Sequence, residues 1–221
     1  MSTSLFLLRL DFLREAEAYD RMRLLVPLSR RLRAERYRFM EDRMRCLGAG
    51  LLLRFATGFD DDDTDFGPNG KPFFPAHPEI CFSLSHSGDL VVCAVSQRTV
   101  GADVEEIKPV RESNLFIARR YFTKEEQDEL ARTKPDPEKT AFDPSVFTKI
   151  WTRKEAYVKM TGEGIQALQA ADQVPCVYPE IPEPEGYRLS ICLAGREPAE
   201  TVFREVTPEE LFRTLQGENN K

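Results

Sequence analysis

One stretch near the middle of the second half constrains what this chain can fold into. Asp143-Pro144 supplies an N-cap and a first-turn proline, and Thr161-Gly162-Glu163-Gly164 supplies a stop. The residues between them are predicted as one long helix. Its later part reads Ile150-Trp151-Thr152-Arg153-Lys154-Glu155-Ala156-Tyr157-Val158-Lys159. Trp151, Glu155 and Lys159 fall at i, i+4 and i+8, so they share one stripe, and Glu155 and Lys159 are surface neighbours. Taken alone, the stripe is a helical ion pair beside a core tryptophan. The segments upstream give it another meaning.

With 221 residues the chain can bury a proper core, as one large domain or two small ones. A net charge of −6 argues against a nucleic-acid partner for the whole molecule, though not against a local basic patch. The cysteines (Cys46, Cys81, Cys93, Cys176 and Cys192) are scattered and form no C-x-x-C pair. With only two histidines beside them, reduced thiols are expected and a zinc site is not. Residues 1–10 run straight into a charged segment, so no signal peptide is expected, and no apolar run is long enough to cross a membrane. The expectation is a soluble cytoplasmic protein without a membrane partner.

In chain order, residues 5–10 read as a buried strand. Helical patterns follow over 15–25 and 29–56, the second crowded with Arg30, Arg31, Arg33, Arg36, Arg38, Arg43, Arg45 and Arg54. Most of these arginines read as solvated, with some available to an anion. Asp60-Asp61-Asp62-Asp63 reads as a surface loop, since it lacks the spacing of a calcium loop. After a loop at Gly70-Lys71-Pro72, strands over 80–84 and 90–96 flank a turn, Ser85-His86-Ser87-Gly88. Such a turn either presents donors to a phosphate or simply closes a hairpin.

Residues 100–105 read as a strand with Asp103 and Glu105 on one face. Neighbouring carboxylates repel and call for a cation or water. Magnesium suits such hard oxygen ligands and takes phosphates as its remaining partners, whereas an exposed strand face is the plain alternative. Residues 112–121 are helical, and Thr123-Lys124-Glu125-Glu126 is a capping box that opens another helix. A proline- and charge-rich connector spans 135–144. Strands over 189–193 and 201–206 precede a helix begun by Thr207-Pro208-Glu209-Glu210, and 217–221 read as a frayed tail. No internal sequence repeat is visible, although two similar halves meeting near residue 98 are compatible with this layout.

Five segments in order carry a resemblance: Gly70-Lys71-Pro72, Phe82-Ser83-Leu84-Ser85-His86-Ser87-Gly88, Gly101-Ala102-Asp103-Val104-Glu105, Phe122-Thr123-Lys124-Glu125-Glu126, and 151–159. Together they resemble the motifs of 4′-phosphopantetheinyl transferases, of the longer, Sfp-like type. The match is clear over about residues 30–165 and rests on layout alone at both ends. It implies an α+β monomer of two similar halves, 1–98 and 99–221, related by a pseudo-twofold axis. Coenzyme A and Mg²⁺ (or Mn²⁺) would lie in the cleft between them. The implied reaction moves the phosphopantetheine arm of coenzyme A onto a serine of an apo carrier protein (acyl, peptidyl or polyketide), releasing adenosine 3′,5′-bisphosphate.

Residue by residue, the resemblance implies that Asp103, Glu105 and Glu155 hold the metal. It makes Glu155 the general base, directly or through water, and Lys159 the grip on the pyrophosphate. Ser85 and His86 would bind phosphates at the nucleotide end, and Lys71 would add a further contact there. Arg30 and Arg33 stand where the family often has lysines, and either can hold the 3′-phosphate. Arg45 matches a basic position of the family, followed here by Cys46. Glu106 is a possible accessory ligand that strand alternation turns away, and Lys154 reads as structural. Carrier docking is expected on 111–124, where Arg111, Arg119, Arg120 and Lys124 accompany Leu115, Phe116, Ile117 and Tyr121. An ordinary amphipathic helix is the alternative there. Two rivals remain at this stage: another Mg²⁺-dependent phosphoryl-transfer enzyme, and a non-catalytic homologue that binds coenzyme A or carrier.

Overall fold

The computed structural model describes residues 3–133, 142–170 and 174–217. Most of the predicted connector 135–144, and 218–221 of the predicted tail, lie outside the described residues. The chain begins with β1 (Thr3–Arg9), α1 (Ala16–Arg23), α2 (Leu28–Glu35) and α3 (Met40–Thr57). The short β2 (Asp65–Phe66) and β3 (Pro72–Phe73) pair with each other, and β4 (Cys81–Ser87) and β5 (Leu90–Ser96) form a hairpin. Then come β6 (Val100–Glu106), α4 (Glu112–Tyr121), α5 (Lys124–Arg132) and α6 (Pro144–Thr161). The chain continues through β7 (Cys176–Val177), β8 (Tyr187–Ala194), β9 (Thr201–Val206) and α7 (Pro208–Leu215).

Two sheets carry the architecture, one ordered β4-β5-β1-β9 and the other β6-β8-β7. Side-chain alternation along β1 explains how they stack. Leu5 and Leu7 pack with Val92 and Ala94 against Val100, Ala102, Val104 and Ile191 of the second sheet. Leu8 packs on the opposite face, with Val91 and Cys93, among Met44, Leu47 and Leu51 of α3. Behind the second sheet, Ala156, Tyr157 and Met160 of α6 close over Cys192. The layers therefore run helices, sheet, sheet, helix, a mixed α/β arrangement in keeping with the expected class. All five thiols are free, and no helix among the described residues is long and apolar enough to cross a membrane.

Chain order and spatial grouping part company at the end. β9 runs parallel to β1 at the edge of the first sheet, and Val206 and Leu211 join the core beneath it. Residues 201–215 therefore pack with the first sheet, although the expected division at 98/99 counts them with the second half.

Two local expectations need correction. The predicted helix over 29–56 is two helices, because the backbone leaves the helical region at Phe39 (φ −94°, ψ 143°). Arg43 Nε holds the bend by donating to the Tyr37 carbonyl at 2.8 Å. The fold-back lets α2 lie on α3, and both pieces keep three- and four-residue apolar steps, so periodicity alone misses the break. The hairpin turn is also tighter than expected. Ser85, His86 and Ser87 belong to β4, Ser87 pairs with Leu90, and only Gly88 and Asp89 make the turn. Gly88 adopts φ 54°, a conformation glycine accepts without strain.

Candidate active site

The site begins with the placement of α6. Asp143 Oδ1 accepts the Ser145 amide at 2.7 Å, Pro144 occupies the first turn, and Gly162 stops the helix at φ 73°. Gly101 lets it lie directly on β6, since a Cβ there would overlap the Ala156 carbonyl oxygen and the Met160 nitrogen. This close approach carries the stripe Trp151, Glu155 and Lys159 to the strand that bears Asp103 and Glu105.

On the other side of β6 lies β4, in the other sheet, and three alternating serines span the seam. Ser83 Oγ accepts the Ala102 amide at 2.9 Å, and Ser85 Oγ donates to Asp103 Oδ1 at 2.7 Å. Ser87 Oγ accepts the Glu106 amide at 3.1 Å and donates to Glu105 Oε2 at 2.7 Å. Lys159 Nζ completes the cluster by donating to Ser85 Oγ at 2.8 Å and to Asp103 Oδ1 at 2.7 Å.

Ser85, Asp103, Glu105, Glu155 and Lys159 line a cavity of about 480 Å³, together with Arg30, Arg33, Asp61, Phe66, Phe82, Leu84, His86 and Trp151. Asp103 is almost wholly buried, and its Oδ2 has no hydrogen-bond partner. Burial, then the charge of Asp103, pushes the carboxyl groups of Glu105 and Glu155 above the ordinary range, while Lys159 pulls both the other way. His86 lines the cavity and is only partly enclosed by it. That partial burial, followed by the charges of Lys159 and Arg45, holds its imidazole below the usual histidine value. The three carboxylates form an all-oxygen set suited to a hard divalent cation, and the orphaned Asp103 oxygen is the group that most needs one. Among the described residues, no three such side chains already stand at metal-binding spacing, and Lys159 takes the paired Asp103 oxygen.

The remaining expected site residues fall in different places. Arg33 is exposed and lines the cavity, whereas Arg30 is buried there in an ion pair with Asp61. Asp61 thus belongs to the cavity wall, which corrects its reading as part of a mere surface loop. Lys71 lies outside the main cavity; its Nζ donates to the Met160 carbonyl at 2.7 Å and the Val100 carbonyl at 3.2 Å. It fastens the 70–72 loop to the C-terminal end of α6, where a cation is favoured. Arg45 is likewise absent from the cavity lining and donates to the Gly88 carbonyl at 3.0 Å and to Asp42 at 2.6 Å. Glu106 pairs with Lys108 at 3.0 Å, and buried Lys154 meets Glu126 at 2.9 Å, the capping residue of α5.

A groove of about 210 Å³ shares Glu105 and Trp151 with the main cavity and runs past Lys108, Arg111, Asn114 and Ile117. Above it, α4 exposes Arg119, Arg120 and Phe116, with the Arg120 guanidinium 5.8 Å from the Phe116 ring centre. Sequence reading missed Asp61, the walls Phe66, Phe82 and Leu84, and the roles of Ser83 and Ser87. The alternate serines beside the D-x-E strand were the available signal for the last two.

The chain as a whole is similar to known proteins. Residues 99–205 match the family model of the 4′-phosphopantetheinyl transferase superfamily. The chain is 30% identical over 198 residues to a 4′-phosphopantetheinyl transferase of Bacillus subtilis, covering 79% of this chain and 85% of that one. It is 29% identical over 219 residues to the 4′-phosphopantetheinyl transferase Sfp of Bacillus subtilis strain 168, covering 89% and 94%. Identity reaches 32% over 206 residues with the 4′-phosphopantetheinyl transferase psf-1 of Bacillus pumilus, covering 83% and 85%. With that likeness running nearly end to end through both partners, the chain belongs to the 4′-phosphopantetheinyl transferase superfamily, in its longer, Sfp-like type.

Proposed function

We propose that this protein transfers the 4′-phosphopantetheine arm of coenzyme A to a serine of an apo carrier protein, with Mg²⁺ or Mn²⁺ as cofactor. The observation that carries the reading is the gathering of Asp103, Glu105, Glu155 and Lys159 around one cavity, from a strand and a helix distant in sequence. The reaction is attack by a serine hydroxyl on the β-phosphorus of a pyrophosphate. The bond to the nucleotide breaks, and adenosine 3′,5′-bisphosphate leaves.

The residues divide the work. Asp103, Glu105 and Glu155 would hold the metal, the first two from β6 and the third from α6 on the wall of the same cavity. When bound, the ion supplies charge stabilisation for the pyrophosphate oxygens. Lys159 presents a compact cation to the same anion, already oriented by Ser85 and Asp103. Glu155 takes the proton from the serine hydroxyl, directly or through water. His86 and Arg33 face the nucleotide end, and Phe66, Phe82 and Leu84 supply apolar walls for the base.

Carrier docking fits the groove beside α4, because that groove opens onto Glu105 and Trp151 and is bordered by exposed arginine. Two similar halves about a pseudo-twofold fit the single 18-residue helix behind each sheet, α3 and α6. Incubation with coenzyme A, Mg²⁺ and an apo carrier, followed by intact-protein mass measurement, tests the activity. A carrier gaining the mass of the arm supports it. Binding of coenzyme A with no mass gain on any apo carrier would point to a non-catalytic binder instead.

A further inference from the structure

Each of the three guanidinium nitrogens of Arg30 has a partner before any ligand arrives. Its Nε donates to Asp61 Oδ2 at 2.7 Å, its Nη2 to Asp61 Oδ1, and its Nη1 to the Cys46 carbonyl at 3.3 Å. The pair is bidentate, and only 8% of the arginine side chain and 9% of the aspartate side chain are exposed. The surroundings are shaped to keep it. A Cβ at Gly50 would stand 3.0 Å from Arg30 Nε, so the absence of one makes room for the guanidinium. Asp61 sits on a 3-10 turn (Asp61–Asp63) closed by a capping box between Asp60 and Asp63. Ser29 Oγ donates to Asp62 at 2.6 Å, and Thr64 Oγ1 donates to the Asp61 carbonyl at 2.7 Å.

A phosphate directed to Arg30 would therefore meet a carboxylate already in place, and would have to break a buried ion pair to replace it. Arg33 lines the same cavity, is exposed, and has no acidic partner among the described residues.

We propose that Asp61 is a specificity-determining residue: by neutralising Arg30 it leaves Arg33 alone at this wall to read a phosphate on the ribose. The inference rests on the reading that a coenzyme A nucleotide occupies this cavity. It follows that the 3′-phosphate contributes little to the choice of co-substrate, and that 3′-dephospho-coenzyme A is accepted with a similar KM.

The test is steady-state transfer from both co-substrates by the parent, Asp61→Asn and Arg33→Gln. In the parent, the two KM values should agree within roughly tenfold, the scale of one charged hydrogen bond. Asp61→Asn should lower KM for coenzyme A severalfold and leave that for the dephospho form unchanged. Arg33→Gln should erase whatever difference the parent shows. Rejection of the dephospho form by the parent would overturn the proposal, as would an Asp61→Asn effect equal on both co-substrates or absent. Should Asp61→Asn fail to fold, Arg33→Gln decides, since unchanged discrimination there places the phosphate elsewhere. Failure of the parent to transfer from either co-substrate would count against the proposed function itself, whereas transfer without the charge-dependent split counts against Asp61 alone.

Discussion

Lys159 and Asp103 meet across two elements, with the ammonium 2.7 Å from Oδ1 and the other carboxylate oxygen buried without a partner. An acid held this way is half satisfied. It is positioned by a cation on one oxygen and left with unused capacity on the other.

That geometry separates stability from activity at Asp103. Asp103→Asn keeps the shape and both hydrogen bonds to Oδ1 while removing one charge from a crowd of three carboxylates. Transfer should fall at least a hundredfold, about 3 kcal/mol of transition-state stabilisation. Thermal unfolding should move by only a few degrees. Glu105→Ala should behave alike, and near-parental turnover at saturating Mg²⁺ in either variant would remove that residue from the metal set.

Within α6 the two site residues should fail differently. Glu155→Gln keeps size and loses basicity, so it should act mainly on kcat. Lys159→Ala removes the cation proposed to face the pyrophosphate and should also weaken coenzyme A, each change costing roughly a hundredfold or more in kcat/KM. Calorimetric titration with coenzyme A distinguishes them, and undiminished affinity in the lysine variant would sink its role.

Ser87 should matter through Glu105, to which it donates while its own acceptor side is taken by the Glu106 amide. Ser87→Ala should weaken Mg²⁺ binding severalfold, and Ser87→Thr should restore it. The single tryptophan, Trp151, lines the same cavity and gives a fluorescence readout independent of turnover. Identical metal titrations for the parent and the alanine variant would leave the serine a purely structural tie.

If His86 meets a phosphate of coenzyme A as proposed, binding should depend on pH. In the free protein its imidazole lies below the ordinary value of 6.5, so it is mostly neutral near neutrality. An incoming phosphate opposes the neighbouring cations and raises that pKa, so binding takes up a proton and affinity grows as pH falls through the bound-state value. Below the free-state value the gain levels off. Calorimetry just below pH 6.5 in two buffers of different ionisation heat should reveal the uptake, and His86→Gln should abolish it. Equal uptake in that variant would assign the proton elsewhere.

On the carrier side, Arg119→Glu combined with Arg120→Glu should raise KM for the carrier and leave that for coenzyme A alone. The defect should shrink with added salt, as screening weakens contacts between exposed charges. Unchanged carrier KM at low salt would move docking away from α4.

What could be read from the sequence was whatever local chemistry determines. Asp143, Pro144 and Gly162 mark the ends of α6 within a turn of where they act, and the shared face of Asp103 and Glu105 follows from strand alternation. The misses are long-range. Arg30 finds Asp61 across 31 residues, and Lys71 reaches Met160 across 89, where its ammonium serves helix carbonyls that no motif announces. The serine seam is visible only once β4 is known to lie against β6. The break between α2 and α3 escaped because both pieces keep the same apolar step.

The position of β9 has a consequence in time. β1 leaves the ribosome well ahead of residues 201–206, the partner on its outer edge. Until those are made, a strand rich in leucine waits with one row of backbone groups unpaired, and such an edge invites pairing with another chain. Long-separated pairings of this kind also slow folding, since a large loop must close before they form. Synthesis of this protein should therefore pass through a stage in which most of the candidate site is present but the first sheet is still open, the stage at which a chaperone would have most to shield.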